Sequence, residues 1–84
     1  MMTLTVLSRP GCHLCDDMKA AARRVSAVVP LQIEEIDISD HPELEALYGL
    51  EIPVLLVNGV KAAKYRITDA DLLRVVAGRS TEGG

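Results

Sequence analysis

The sequence predicts a single α/β domain of order β-α-β-α-β-β-α, with a four-stranded mixed sheet flanked by helices. Three observations lead there. Short β-branched or apolar runs at residues 3–7, 31–38 and 54–57 read as strands. Between the first two runs, apolar residues recur at spacings of three and four, the period of one helix face. After the third run, Asn58-Gly59 is a two-residue hairpin signal, because both residues tolerate positive φ.

The elements follow in chain order. Residues 3–7 (TLTVL) form the first strand, and Arg9-Pro10-Gly11 breaks it. Residues 12–28 form a helix whose apolar face is Leu14, Met18, Ala21, Val25 and Val28. Asp16 and Asp17 fall in its first turn, where the helix dipole favours negative charge. Pro30 ends it. Residues 31–38 (LQIEEIDI) form a strand with Leu31, Ile33, Ile36 and Ile38 available for burial. Asp40 is a cap for a short helix, with Pro42 in the first turn and Glu43 three residues on. Leu44, Leu47 and Tyr48 supply its apolar side, and Gly49 ends it.

Pro53 opens residues 54–57 (VLLV), a continuous apolar run suited to a buried strand. Beyond the hairpin, residues 60–66 return as an edge strand. Thr68 with Asp71 resembles a capping box before Leu72, Leu73, Val75 and Val76, and Gly78 ends that helix. Residues 1–78 are thus the domain, and residues 79–84 are expected to be a flexible tail. The first β-α-β unit should be parallel and right-handed.

Composition narrows the function. The 84 residues are enough for one domain, which buries somewhat more than ~60% of its unfolded surface. Net charge is −3 and the nine Lys and Arg are scattered, against a nucleic-acid surface. No apolar run approaches the ~20 residues of a membrane span, and the start lacks the pattern of a signal peptide. A cytoplasmic monomer that contacts neither nucleic acid nor membrane is the expectation.

Only two cysteines occur, Cys12 and Cys15. As a structural staple so short a loop contributes roughly 2 kcal/mol at best. A close pair in a reducing compartment points instead to redox chemistry or half a metal site. The segment follows a strand and opens a helix, so Cys12 falls where unpaired backbone N–H groups and the helix dipole favour a thiolate. Arg9 and a protonated His13 would add support. Cys15 lies one turn inward, with Cβ atoms about 5–6 Å apart before any bond forms. Cys12 is then the attacking thiol and Cys15 the resolving one. Zinc prefers four ligands, and only His13 and His41 supplement the pair, so no metal is assigned. A cluster shared between chains stays open at this stage.

From residue 3 to about residue 77 the sequence resembles the glutaredoxins and shorter glutaredoxin-like proteins. The anchors are Cys12-His13-Leu14-Cys15 after a strand, Ile52-Pro53 before an apolar strand, and the Asn58-Gly59 turn. The resemblance implies a thioredoxin-like fold and dithiol–disulfide oxidoreductase activity on protein or glutathione mixed disulfides. It implies that Pro53 is cis and packs beside the cysteines, and that the Ile52 backbone pairs with the thiol substrate. It puts Arg9 in the place of a glutathione-binding basic residue and lets Thr68 and Asp69 keep part of a glutathione contact. No bound cofactor is implied, and glutathione is a candidate co-substrate.

Two departures bear on the partner. His13-Leu14 replaces the common Pro-Tyr, and residues 63–69 (AKYRITD) lack the Gly-Gly that precedes Thr-Asp in the family. A disulfide-containing protein, with electrons from a thioredoxin reductase-type donor, stands beside glutathione as an alternative. Two other classes compete. Gly83-Gly84 would suit a sulfur carrier, but that fold begins with a hairpin and has no use for the cysteine pair. A binding module that kept the fold without catalysis is the other.

Overall fold

Leu4, Val6 and Leu7 are completely buried, and they set the middle of the sheet. In the computed structural model, which describes residues 2–83 and side chains through residue 78, they belong to β1 (Met2–Ser8). β1 pairs in parallel with β2 (Leu31–Asp37) and antiparallel with β3 (Val54–Val57), and β3 pairs with β4 (Val60–Lys64). The order is β2-β1-β3-β4, a mixed four-stranded sheet. Helices α1 (His13–Ser26), α2 (Pro42–Tyr48) and α3 (Asp69–Gly83) complete the predicted order, with a 3₁₀ turn, Ile38–Asp40, before α2.

The period-two alternation of β1 sorts the layers. Leu4 and Val6 share one core with Leu55, Val57, Met18 and Leu72, so α1 and α3 cover that face. Leu7 points the other way, onto Val54 and Ile38, with Leu44 and Tyr48 of α2 closing the second core. Each fully buried Leu or Ile contributes about 1.5–3 kcal/mol relative to exposure. The two buried polar residues of β1 are paired: Thr5 Oγ1 donates to Glu34 (3.1 Å) and Ser8 Oγ to Glu35 (2.8 Å).

Several boundaries differ from expectation, each for a local reason. The first helix stops at Ser26, and the Val28 and Val29 N–H groups turn back onto the Val25 carbonyl. A residue before proline is disfavoured in the α region, so Val29-Pro30 turns the chain out early. Val28 therefore leaves the apolar face and is 73% exposed. The strand expected at 31–38 ends at Asp37, whose Oδ1 accepts from the Ser39 N–H and hydroxyl and caps the 3₁₀ turn. That turn takes up Asp40, so the cap of α2 is His41, with no side-chain bond, and Pro42 starts the helix. Leu31, Ile33 and Ile36 are only half-buried, because β2 is an edge strand.

Of the residues expected on apolar helix faces, Leu47 is 68% exposed and Leu73 38%. The last strand ends at Lys64, where Tyr65 adopts φ +66° and cannot continue a ladder. Gly78 does not end α3, which runs to Gly83. A glycine cap requires the left-handed region, and among the described residues only Gly11 and Gly59 are glycines with positive φ. Residues 79–83 of the expected tail are helical in backbone, and Gly84 lies outside the described residues. No helix among the described residues is long and apolar enough to cross a membrane.

Candidate active site

The site begins where β1 ends. Gly11 holds φ +77°, and a Cβ built there meets nothing within 4 Å, so backbone conformation rather than space demands glycine. That turn delivers Cys12 to the N-cap of α1 in extended conformation, φ −90° and ψ 110°. The Cys12 sulfur accepts from the Cys15 N–H at 3.2 Å, as an N-cap oxygen would. The Asp16 N–H bonds the Cys12 carbonyl at 3.2 Å, closing the first turn.

Cys15 is 1% exposed, whereas Cys12 is half-buried. Their Cα atoms are 5.2 Å apart and the two are joined in a disulfide. The accessible sulfur is therefore the one at the helix terminus. His13 is exposed at the first helical position, and Leu14 is half-buried. Among the described residues, no three His, Cys, Asp or Glu side chains gather around a point where a metal ion would sit.

Sheet register brings the remaining residues toward this end. Leu7 pairs with Val54, so Pro53 lies level with Ser8, where the chain departs for Cys12. The Ile52-Pro53 bond is cis, Pro53 is buried, and its carbonyl accepts from the Tyr65 N–H at 2.8 Å. The Tyr65 hydroxyl donates to the Leu50 carbonyl (3.4 Å), and Glu51 bonds Lys61 (2.6 Å) and Lys64 (3.1 Å). The segment leading to Pro53 is thus tied to β4 by Lys61 and Lys64 and to the residue just beyond it by Tyr65.

The other expected residues have specific engagements. Arg9 donates to Glu45 of α2 and to the Gly49 carbonyl (3.1 Å). Thr68 Oγ1 accepts from the Asp71 N–H at 3.1 Å and caps α3. Asp69 receives both Nε and a terminal nitrogen of Arg24, at 2.6 and 2.9 Å. That bidentate hydrogen bonding holds its carboxyl below the usual aspartate range.

Two clefts flank the helix start. One, of about 300 Å³, is lined by Ser8, Arg9, Gly11, Lys19 and Glu35 among others. Within it Lys19 bridges Glu35 (2.8 Å) and Asp16 (3.3 Å), and Lys19 and then Ser8 hold the Glu35 carboxyl low. The other, of about 240 Å³, runs between α1 and the loop after β4, with Leu14, Asp17, Arg24, Tyr65, Arg66 and Ile67 on its walls. Sequence reasoning did not assign Tyr65 or Arg66 a role. The signal was the absence of the family's paired glycines from that stretch.

The chain is similar to several known structures. It is 27% identical to target protein XcR50 from X. campestris, with a TM-score of 0.77, covering 89% of this chain and 96% of that one. It is 29% identical to protein Ne2328 from Nitrosomonas europaea, with a TM-score of 0.75, covering 84% and 86%. A third match is one of the subunits of the Enterococcus faecalis alkylhydroperoxide reductase, at 26% identity and TM-score 0.73, covering 88% of this chain but 36% of that one. No curated protein matches by sequence. Residues 3–77, nearly the whole chain, match the glutaredoxin-like domain (DUF836). With its thioredoxin-like fold and its Cys12–Cys15 pair, the chain belongs to the glutaredoxin-like domain family.

Proposed function

We propose that this protein is a dithiol–disulfide oxidoreductase working through Cys12 and Cys15. The observation that carries the reading is the division between the sulfurs: Cys12 caps a helix N-terminus and is accessible, while Cys15 is buried one turn inward. The helix terminus favours the Cys12 anion, which is the nucleophile in exchange. In the reduced enzyme the Cys12 thiolate attacks a substrate disulfide. A Cys12–substrate bond forms and one substrate thiolate leaves. Cys15, deprotonated, then attacks the Cys12 sulfur, forms the internal disulfide and releases the second substrate thiolate. Two electrons pass from the dithiol to the substrate, and two thiols of a donor restore the pair.

The substrate is a disulfide-containing protein or a glutathione mixed disulfide, and the donor is glutathione or a thioredoxin reductase-type system. We place the cycle in a reducing compartment such as the cytoplasm, with no bound cofactor. His13, beside Cys12, supports the thiolate when protonated, and Ile52-Pro53 offers backbone to the substrate. That an alkylhydroperoxide reductase carries a similar domain supports a redox role. The test is disulfide exchange with each donor in turn, in the wild type, Cys12→Ser and Cys15→Ser. Turnover that requires Cys12 upholds the reading. Full exchange by Cys12→Ser, or none by the wild type with either donor, overturns it.

A further inference from the structure

Arg66 stands out in a census of cations. Arg9 is held by Glu45, Lys19 by Glu35 and Asp16, Arg24 by Asp69, Lys61 and Lys64 by Glu51, and Arg74 by Asp71. Among the described side chains, Arg23 and Arg66 are the two of these cations that make no ion pair, and of the two only Arg66 lines the groove whose opposite wall carries Leu14, one of the two residues between the cysteines. The groove also carries the carboxylate of Asp17, which forms no ion pair with Arg66. The backbone fixes this placement: Tyr65 takes a left-handed φ of +66°, its N–H bonds the Pro53 carbonyl, and the Arg66 N–H bonds Lys64. A left-handed non-glycine residue is strained, and such strain is retained at functional sites when the surroundings impose it.

We propose that Arg66 is a specificity-determining residue of this site, selecting a disulfide or thiol reagent that carries a carboxylate close to its sulfur. The inference rests on the Cys12–Cys15 reading for the location of the reacting sulfur. A guanidinium with no internal partner has its full donor fork free for a planar carboxylate. Arg9, though closer in sequence to Cys12, is turned toward α2, where one terminal nitrogen serves both Glu45 and the Gly49 carbonyl. The carboxylate belongs to glutathione or to an acidic side chain next to a protein disulfide, and the chemistry is common to both.

The first test needs no turnover. Reduced protein is alkylated at Cys12 by iodoacetate, an anion, and by iodoacetamide, its neutral counterpart. Each forms a carbon–sulfur bond and releases iodide. Taking the ratio of the two rates cancels any change in the thiolate population. At low salt, Arg66→Gln should lower the iodoacetate-to-iodoacetamide ratio by about threefold to fivefold, the size of one exposed charge pair. Arg66→Lys should keep most of it, Arg9→Gln should not change it, and salt should shrink it. The second test compares reduction of dithiodipropionate, bis(2-hydroxyethyl) disulfide and cystamine. Arg66→Gln should slow the anionic substrate, spare the neutral one and relieve the cationic one.

A glutathione mixed disulfide of a neutral peptide and a disulfide of an acidic peptide form the last pair. Loss confined to either assigns the carboxylate to that source, and both outcomes uphold Arg66. An alkylation ratio unmoved by Arg66→Gln, or moved more by Arg9→Gln, overturns the proposal. Absent turnover with a sensitive ratio overturns the oxidoreductase reading alone.

Discussion

The backbone N–H of Cys15 donates to the sulfur of Cys12 at 3.2 Å. In the proposed mechanism the donor belongs to the resolving residue and the acceptor to the attacking one. One hydrogen bond caps the helix and, in that mechanism, would be a fixed donor to the Cys12 thiolate. Because a backbone group makes it, it survives substitution of the Cys15 side chain.

In the reduced protein, Cys12 should alkylate before Cys15, with a rate that rises through a midpoint below the ~8.5 of a free thiol. Cys15→Ser should still form a mixed disulfide with a small disulfide, and the adduct should persist for detection by intact mass. Faster alkylation of Cys15 would reverse the assigned roles.

His13 is exposed, so a charge on it is screened by solvent while the helix-terminal donors are fixed in place. His13→Ala should slow Cys12 alkylation near neutral pH by no more than about twofold to threefold, the effect of a weak exposed charge interaction. A loss of tenfold or more would make the imidazolium, not the helix terminus, the main support.

The Lys19–Glu35–Ser8 network makes stability depend on acid pH. Glu35 is held low first by the Lys19 hydrogen bond and then by that of Ser8. The folded state thus binds fewer protons than the unfolded chain across the acid range. Its stabilisation is complete above the ordinary glutamate pKa of ~4.3 and fades as pH falls through the lower folded value. Glu35→Gln should flatten that part of the acid limb in denaturant titrations. At neutral pH it should cost less than about 1 kcal/mol, because the pair is partly exposed and screened. An unchanged acid limb would contradict the assignment.

Thr68 caps α3 through the Asp71 N–H. Thr68→Ala should cost about 1 kcal/mol in chemical denaturation, and Thr68→Ser much less. Equal losses for both would show that the hydroxyl is not the operative group.

Asn58 and Gly59 sit at φ +50° and +84°, the requirement of a type I′ hairpin. Gly59→Ala should cost about 1–2 kcal/mol from backbone strain alone, since a Cβ there meets nothing. A neutral result would mean that the turn relaxes to another type.

The sequence by itself determined the order of elements, the hairpin turn and the cysteine pair at a helix start. All three are local: period two against period 3.6, the φ tolerance of Asn-Gly, and a cysteine at the position where backbone donors go unpaired. Tertiary structure decided the rest. Leu31 and Ile33 are half-buried because β2 is an edge, and an edge is a property of strand order, not of the strand's own residues. Gly78 stays inside α3 because nothing draws it into a left-handed cap. Arg9 meets Glu45 across 36 residues and Arg24 meets Asp69 across 45, pairings that no spacing along the chain encodes. Which cations are neutralised depends on which surfaces the sheet brings together. By that process Arg66 is left without an ion pair in the groove beside Leu14.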